Sequence, residues 1–142
     1  MPGLLRPTEL KEISHSAKLA KLQEKQQHIR QKEQQEAALH KAFIEREISP
    51  DVIDRINNAV RVAAEQDLNH TEIVSFPCKY CNDGGRRMNN FDPDWPQSLE
   101  GFAKKAYAYF ETELRPLGFK MHAEIVSFPD GIPGEAALFL KW

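Results

Sequence analysis

The chain has 142 residues, 41% hydrophobic and 28% charged, with 19 basic against 21 acidic residues and a formal charge of −2. That length suits one domain with an extension rather than two full domains, and the near-neutral balance gives no global field for nucleic acid or an anionic membrane. No apolar run approaches the ~20 residues of a membrane span, the start at Met1 lacks the apolar stretch of a secretory signal, and two cysteines do not make a disulfide scaffold, so the expected location is cytoplasmic.

Residues 1–48 carry nine Lys/Arg and seven Asp/Glu, whereas residues 49–142 carry ten and fourteen, so the charge changes sign near Ser49-Pro50. After Pro7 the first segment has neither Gly nor Pro and is rich in Glu, Lys, Gln, Ala and Leu. This predicts one long helix from an N-cap at Thr8 to Ile48. Leu10, Ile13, Ala17 and Ala20 step by three, four and three, as a coiled-coil seam does. Leu19, Leu22 and Ile29 add a second stripe, and Ile29 is the only large apolar residue between Gln23 and Glu36. A helix polar all round in its middle is a solvated spacer or is held by a partner. Leu39, Ala42, Phe43 and Ile44 restore an apolar face suited to docking on the rest of the chain. No strict heptad repeat lasts beyond three turns, so a long coiled coil is not expected.

Ser49-Pro50-Asp51 reads as a helix start with Ser as cap and Pro at the first position. Val52, Ile53, Ile56, Ala59, Val60 and Ala63 keep one apolar face as far as Gln66, and Asn69 is the expected left-handed stop. A strand follows over 71–76, then a loop from Pro77 to Pro96. Ser98 is the expected cap of the next helix, on which Leu99, Phe102, Ala103, Ala106, Tyr109, Phe110 and Leu114 recur at helical spacing before Pro116 and Gly118. Two strands close the chain, over 119–128 and 136–142, joined by Asp130-Gly-Ile-Pro-Gly134. The order helix, helix, strand, helix, strand, strand predicts an α+β fold: an extended helical arm over 1–48 and, over 49–142, a small three-stranded mixed sheet packed on one or two helices. The helical crossover favours parallel pairing of the first two strands, and the short turn makes an antiparallel hairpin of the last two. Such a sheet has open edges, which the helical arm or a second copy is expected to cover.

One octapeptide occurs twice: His70-Thr-Glu-Ile-Val-Ser-Phe-Pro77 and His122-Ala-Glu-Ile-Val-Ser-Phe-Pro129 agree at seven of eight positions. Each copy reads as a strand stopped by proline, as a helix–strand duplication would leave it. Strand alternation puts His70 and Glu72 on one face, and likewise His122 and Glu124. If the copies pair parallel and in register, two imidazoles and two carboxylates gather, a set suited to a transition metal or to acid–base chemistry. The other reading is a solvated sheet face.

Cys78-Lys-Tyr-Cys81, followed by Asn-Asp-Gly-Gly85, is half of a zinc site, two thiolates on a tight turn. His70 is a poor third ligand, since eight residues of strand span ~26 Å. His122 reaches the loop only with antiparallel pairing, and two free cysteines without a catalytic role are the plainer reading. The segment also resembles the thioredoxin and glutaredoxin family in spacing. The CxxC follows the strand Ile73-Val-Ser-Phe76, a helix and strand come next, and Ile132-Pro133 precedes an apolar strand as the family's cis-proline does. The resemblance implies a thiol–disulfide activity at Cys78 and Cys81, with the first cysteine at a helix N-terminus. Asn82-Asp-Gly-Gly85 departs from that pattern by breaking such a helix at once.

Tyr80, Arg86 and Arg87 form a small basic, aromatic loop that can touch phosphate, although Asp83, Asp92 and Asp94 flank it. Phe91 and Trp95 are either staples of the loop or a partner-facing patch. There is no GxGxxG, P-loop, GxSxG or HExxH motif, which argues against an enzyme. The composition therefore points to a protein that binds another protein or itself as a homo-oligomer. The contact residues expected are Ile29, Phe43, Tyr80, Arg86, Arg87, Phe91 and Trp95. A zinc or thiol function on Cys78, Cys81 and His122 is the main alternative, and weak nucleic-acid binding a further one.

Overall fold

The computed structural model describes residues 3–142. The chain separates into two compact units, dividing between Lys41 and Ala42. Helix α1, Pro7–Glu45, is 39 residues long and has no buried residue. At 1.5 Å per residue it measures about 58 Å. It starts one residue before the expected cap. Pro7 takes the first helical position, where its missing N–H costs nothing, and Glu9 reaches back to accept the Arg6 N–H at 3.1 Å.

The second unit, Ala42–Trp142, holds every buried residue from Ala63 onward. Its helix α2, Val52–Glu65, is ended by Asp67 at φ +62°, not by Asn69. The Asp67 N–H reaches the Ala64 carbonyl at 3.0 Å and the Leu68 N–H reaches that of Ala63 at 2.9 Å, a paired C-terminal closure in which Asp tolerates the left-handed position. Ser49 does not cap a helical N–H; its hydroxyl donates to the Asp51 carboxylate. Strand β1, His70–Pro77, leads into the loop, whose one-turn helix α3, Arg86–Asn89, carries the buried Met88. Helix α4, Gly101–Tyr109, continues as a wide π-turn over Phe110–Leu114 and a 3-10 turn over Arg115–Leu117. The left-handed Gly118 stops it. Ser98 also differs from its expected role. It is fully buried and its hydroxyl donates to the Trp95 carbonyl at 2.7 Å.

Strands β2, Lys120–Ser127, and β3, Glu135–Lys141, complete an α+β arrangement. The sheet order is β1-β3-β2, and β3 is antiparallel to both neighbours. The expected hairpin between the last two strands is present. The expected parallel pairing of β1 with β2 is not, so the sheet is antiparallel rather than mixed. Those two strands do run parallel, but β3 lies between them. The reason is compositional: Ala136-Ala-Leu-Phe-Leu140 is a continuous apolar run, and such a run gains most from the centre of a sheet, whereas the His, Glu and Ser of β1 and β2 tolerate an edge. The chain's apolar last strand is thus covered by the sheet itself.

On the helix-packed face, Phe76, Leu138, Ala123 and Ala136 meet Leu99, Ala103 and Ala106 of the α4 region, together with Met88, Cys78 and Cys81. Beside them Leu140, Phe110 and Leu114 form a second cluster, against which Ile56 and Val60 of α2 pack. Phe43, at the end of α1 but within the second unit, seals the first cluster. Its ring centroid lies 5.6 Å from Phe76, 4.9 Å from Tyr80 and 6.4 Å from Phe102.

Candidate functional site

The two cysteines are core residues. Cys78 is 1% exposed and Cys81 is 6% exposed, and neither is bonded to the other. Cys78-Lys-Tyr80 makes a single 3-10 turn, and no helix grows from it. Instead the chain doubles back through Gly85, at φ +89°. A Cβ on Gly85 would sit 3.2 Å from the Cys78 Cβ and 3.3 Å from both its Sγ and Ile125 Cδ1. The glycine is there so that the loop can close over the thiol. Burial pushes the Cys78 thiol up, with the carboxylates of Glu135 and Asp83 adding to it. Burial and the Asp83 carboxylate push Cys81 up to about 12. A nucleophilic cysteine needs the opposite shift.

His122 does not join them. It precedes Ala123, which faces the helices, so its own ring is on the other face of the sheet, stacked 5.0 Å from Phe139 at 12°. Among the described residues no group of three or more His, Cys, Asp or Glu side chains is arranged to hold a metal ion. The features behind the thioredoxin-like reading also differ here. The Ile132–Pro133 bond is trans, and the strands alternate in direction across the sheet.

The repeated octapeptides flank β3, but not at equivalent heights. Glu72 and His122 both lie opposite Phe139, while His70 lies opposite Lys141 and Glu124 opposite Ala137. The second copy is therefore displaced by two residues along β3, and Phe139 stands where the two His–Glu pairs were expected to meet. His122 Nε2 is 3.0 Å from Glu124 Oε1, and His122 Nδ1 has no partner. His70 Nδ1 is 3.2 Å from Asn69 Oδ1. The identical phenylalanines differ most: Phe76 is buried, and Phe128 lies half exposed beyond the end of its strand.

In the loop, the residues expected to face a partner divide into two kinds. Tyr80 is buried, and Trp95 is half-buried against Tyr107 at 5.4 Å, edge to face. Arg87 is bridged to Asp94 at 3.4 Å and to Asp83 at 3.9 Å, with the Asp83 carboxylate also accepting the Arg87 and Gly85 N–H groups. Arg86 is exposed. Phe91 is 81% exposed and sits at φ +55°, immediately after Asn90, the residue that caps α3. Its N–H bonds to Met88 and that of Asp92 to Arg87, the closure that glycine ordinarily supplies. Neither solvent nor backbone favours a phenylalanine there.

Two further surfaces are large. On α1, Leu10, Ile13, Leu19, Leu22 and Ile29 are each about half exposed. In the second unit a cleft of about 360 Å³ opens between α2 and β1. Val52, Ile56 and Ala59 form one wall, Glu72 through Ser75 the other, and Phe102 and Leu114 the floor. Arg46 and Arg55 line it as well. The Arg46 guanidinium rests 4.0 Å above the Phe102 ring, and Arg55 Nε is 3.1 Å from Asp51 Oδ2. Both Asp51 partners, the Ser49 hydroxyl first and then Arg55, lower its carboxyl from the usual range. The cleft was not legible beforehand because its wall residues follow the same apolar spacing that marks a packed helix face. No protein-family model, no curated protein sequence and no solved structure matches this chain.

Proposed function

We propose that this chain is a non-enzymatic binding protein whose long helix pairs with the same helix of a second copy. The observation that carries this reading is a 39-residue helix without one buried residue, on which Leu10, Ile13, Leu19, Leu22 and Ile29 are each about half exposed. An isolated helix draws little stability from propensity alone, and most helices are held by packing of an apolar face. Leu10, Ile13, Ala17 and Ala20 supply a short seam, and Leu19, Leu22 and Ile29 continue it on a neighbouring stripe. Each such side chain moved from half exposure into an interface contributes about 1 kcal/mol. The mixed charges of residues 7–41, seven basic and five acidic, let two copies lie side by side without strong repulsion. Phe91 supports a binding role for the second unit, since a bulky side chain in a left-handed backbone position and in solvent is explained by contact with something else.

Sedimentation equilibrium of the full chain tests this directly. The expected result is a dimer or higher oligomer that dissociates when Ile13 and Leu22, both exposed, are replaced by Asp. A monomer at all concentrations, or an oligomer indifferent to the two substitutions, overturns it.

A further inference from the structure

The cleft between α2 and β1 lies along a strand edge. Glu72, Ile73, Val74 and Ser75 all line it. Ile73 and Val74, at the register shift, both pack against the core, while Glu72 and Ser75 flanking them are exposed, so the cavity runs beside the strand rather than over one face. That edge is unpaired, because β1 has β3 on one side and no strand on the other. Among the described residues, Thr71 through Phe76 make no backbone hydrogen bond outside the β1–β3 ladder, and no side chain bonds to their backbone. Ile73, the residue at the register shift, has no partner on β3 either. A row of free N–H and C=O groups in a partly apolar cleft is a template for another strand.

The open edge chooses between occupants. A helix pairs its own backbone groups, whereas the unpaired N–H and C=O groups on the outer side of β1 are met by an extended chain. An extended segment enters side chain by side chain. Its apolar residues would cover Val52, Ile56 and Val74, which are now only partly buried, above the Phe102 and Leu114 floor. The lining carries two guanidinium groups, Arg46 and Arg55, against the single carboxylate of Glu72. Arg55 already has Asp51, but that pair is more than half exposed on both sides and contributes little.

We propose that this cleft is a peptide-binding site: an extended segment of a partner protein adds to the open edge of β1, with alternate apolar side chains in the cleft and an acidic residue against Arg46 and Arg55. This site does not depend on pairing of α1. The two readings fail separately, one by oligomeric state and the other by peptide binding.

The test uses the full chain as bait for a displayed library of random seven-residue peptides. Enriched peptides should alternate apolar positions and carry Asp or Glu at one end. Synthesised, they should shift the amide resonances of Glu72 through Ser75. Methylating their backbone nitrogens at one set of alternate positions should abolish binding, and at the other set leave it intact, because only one set faces the strand. Arg55→Glu should weaken binding at least tenfold, and Ala59→Trp, which fills the cleft from α2, should remove it while the spectrum remains that of the folded chain. Failure to enrich any peptide overturns the proposal. So does binding that shifts residues elsewhere or ignores nitrogen methylation, and so does a dimer formed through β1 itself.

Discussion

Gly101 opens helix α4 at φ +59°, and it also passes close to the chain that precedes α2. A Cβ there would lie 3.0 Å from the Ile44 Cα and 3.0 Å from Phe43 Cδ1. Gly118, at φ +102°, has nothing within 4 Å of the same position. Replacing each by alanine therefore separates backbone strain from crowding. Placing an L-residue in the left-handed region costs roughly 1–2 kcal/mol, offset by about 0.4–1 kcal/mol because alanine restricts the unfolded chain. Gly118→Ala should thus lose about 1 kcal/mol. Gly101→Ala carries no more backbone strain than that, since φ +59° lies within the left-handed region and φ +102° beyond it, and it adds overpacking of about 1–3 kcal/mol, because the Ile44 contact is backbone and cannot swing aside. Its expected loss is about 2–4 kcal/mol. Urea unfolding of the full chain, followed by the fluorescence of Trp95 and Trp142, measures both. Equal losses in the two variants would refute the reasoning, since the close approach of the 43–44 segment would then carry no energy.

Two further outcomes follow from single residues. Phe91→Asn should raise stability by about 1 kcal/mol, seen as a Tm increase of ~4–8 °C, because Asn accepts the left-handed position and the 81% exposed ring loses little burial; a lower Tm would mean that the ring packs within the fold. The Cys81 thiol, raised to about 12, is protonated in the folded chain while the unfolded thiol titrates near its ordinary value. Its contribution is fully present below that ordinary value and is lost as pH rises from about 9 toward 12, at up to ~1.4 kcal/mol per pH unit. Cys81→Ala should flatten the alkaline decline in urea stability relative to the native chain, and an unchanged slope would place the titration on other groups.

The helix-helix-strand-helix-strand-strand order was legible because apolar spacing changes period at Asn69, Pro77, Gly118 and Pro129, where turn residues stand. The sheet order was not, because two cues competed. The crossover through α4 favours parallel pairing of its flanking strands, and the five-residue apolar run of β3 favours the central position. Burial decided, and the crossover then spanned β3. The repeat misled for a related reason. Identical octapeptides have identical local preferences, but the one-residue shift at Ile73 and the two-residue displacement along β3 give each copy different neighbours. Phe76 then faces Ala136 in the core, while Phe128 falls beyond the strand. The CxxC spacing indicated a tight turn, which is present, but nothing in four residues reveals that Gly85 and Met88 will close over it. In the sequence Phe91 stands out only as an aromatic among Asp and Pro, since its left-handed conformation is a property of the closure after α3.

Charge and composition place the boundary between arm and domain at residue 48, and the structure divides the chain at Lys41. The seven residues in between are few, but their contacts lie inside the second unit. Phe43 seals the first core cluster against Phe76, Tyr80 and Phe102, and Ile48 packs against the same cluster. Lys105 Nζ donates to the Ile44 carbonyl at 3.2 Å, the Arg46 carbonyl at 2.9 Å and the Glu47 carboxylate at 2.8 Å. Arg46 covers Phe102. Loss of a partly exposed core phenylalanine alone removes about 2–3 kcal/mol, somewhat under the range for full burial, from a total that is ordinarily 5–15 kcal/mol. A chain beginning at Ala42 should therefore unfold within a few degrees of the full protein. One beginning at Ser49 should lose more than about 3 kcal/mol, a fall in Tm of more than ~12 °C. Thermal unfolding of the two shortened chains by circular dichroism decides between the boundaries. Equal melting temperatures would assign residues 42–48 to the arm, as their composition suggests. A large difference would show that the last turn of α1 folds as part of the domain, with Gly101 left bare to receive it.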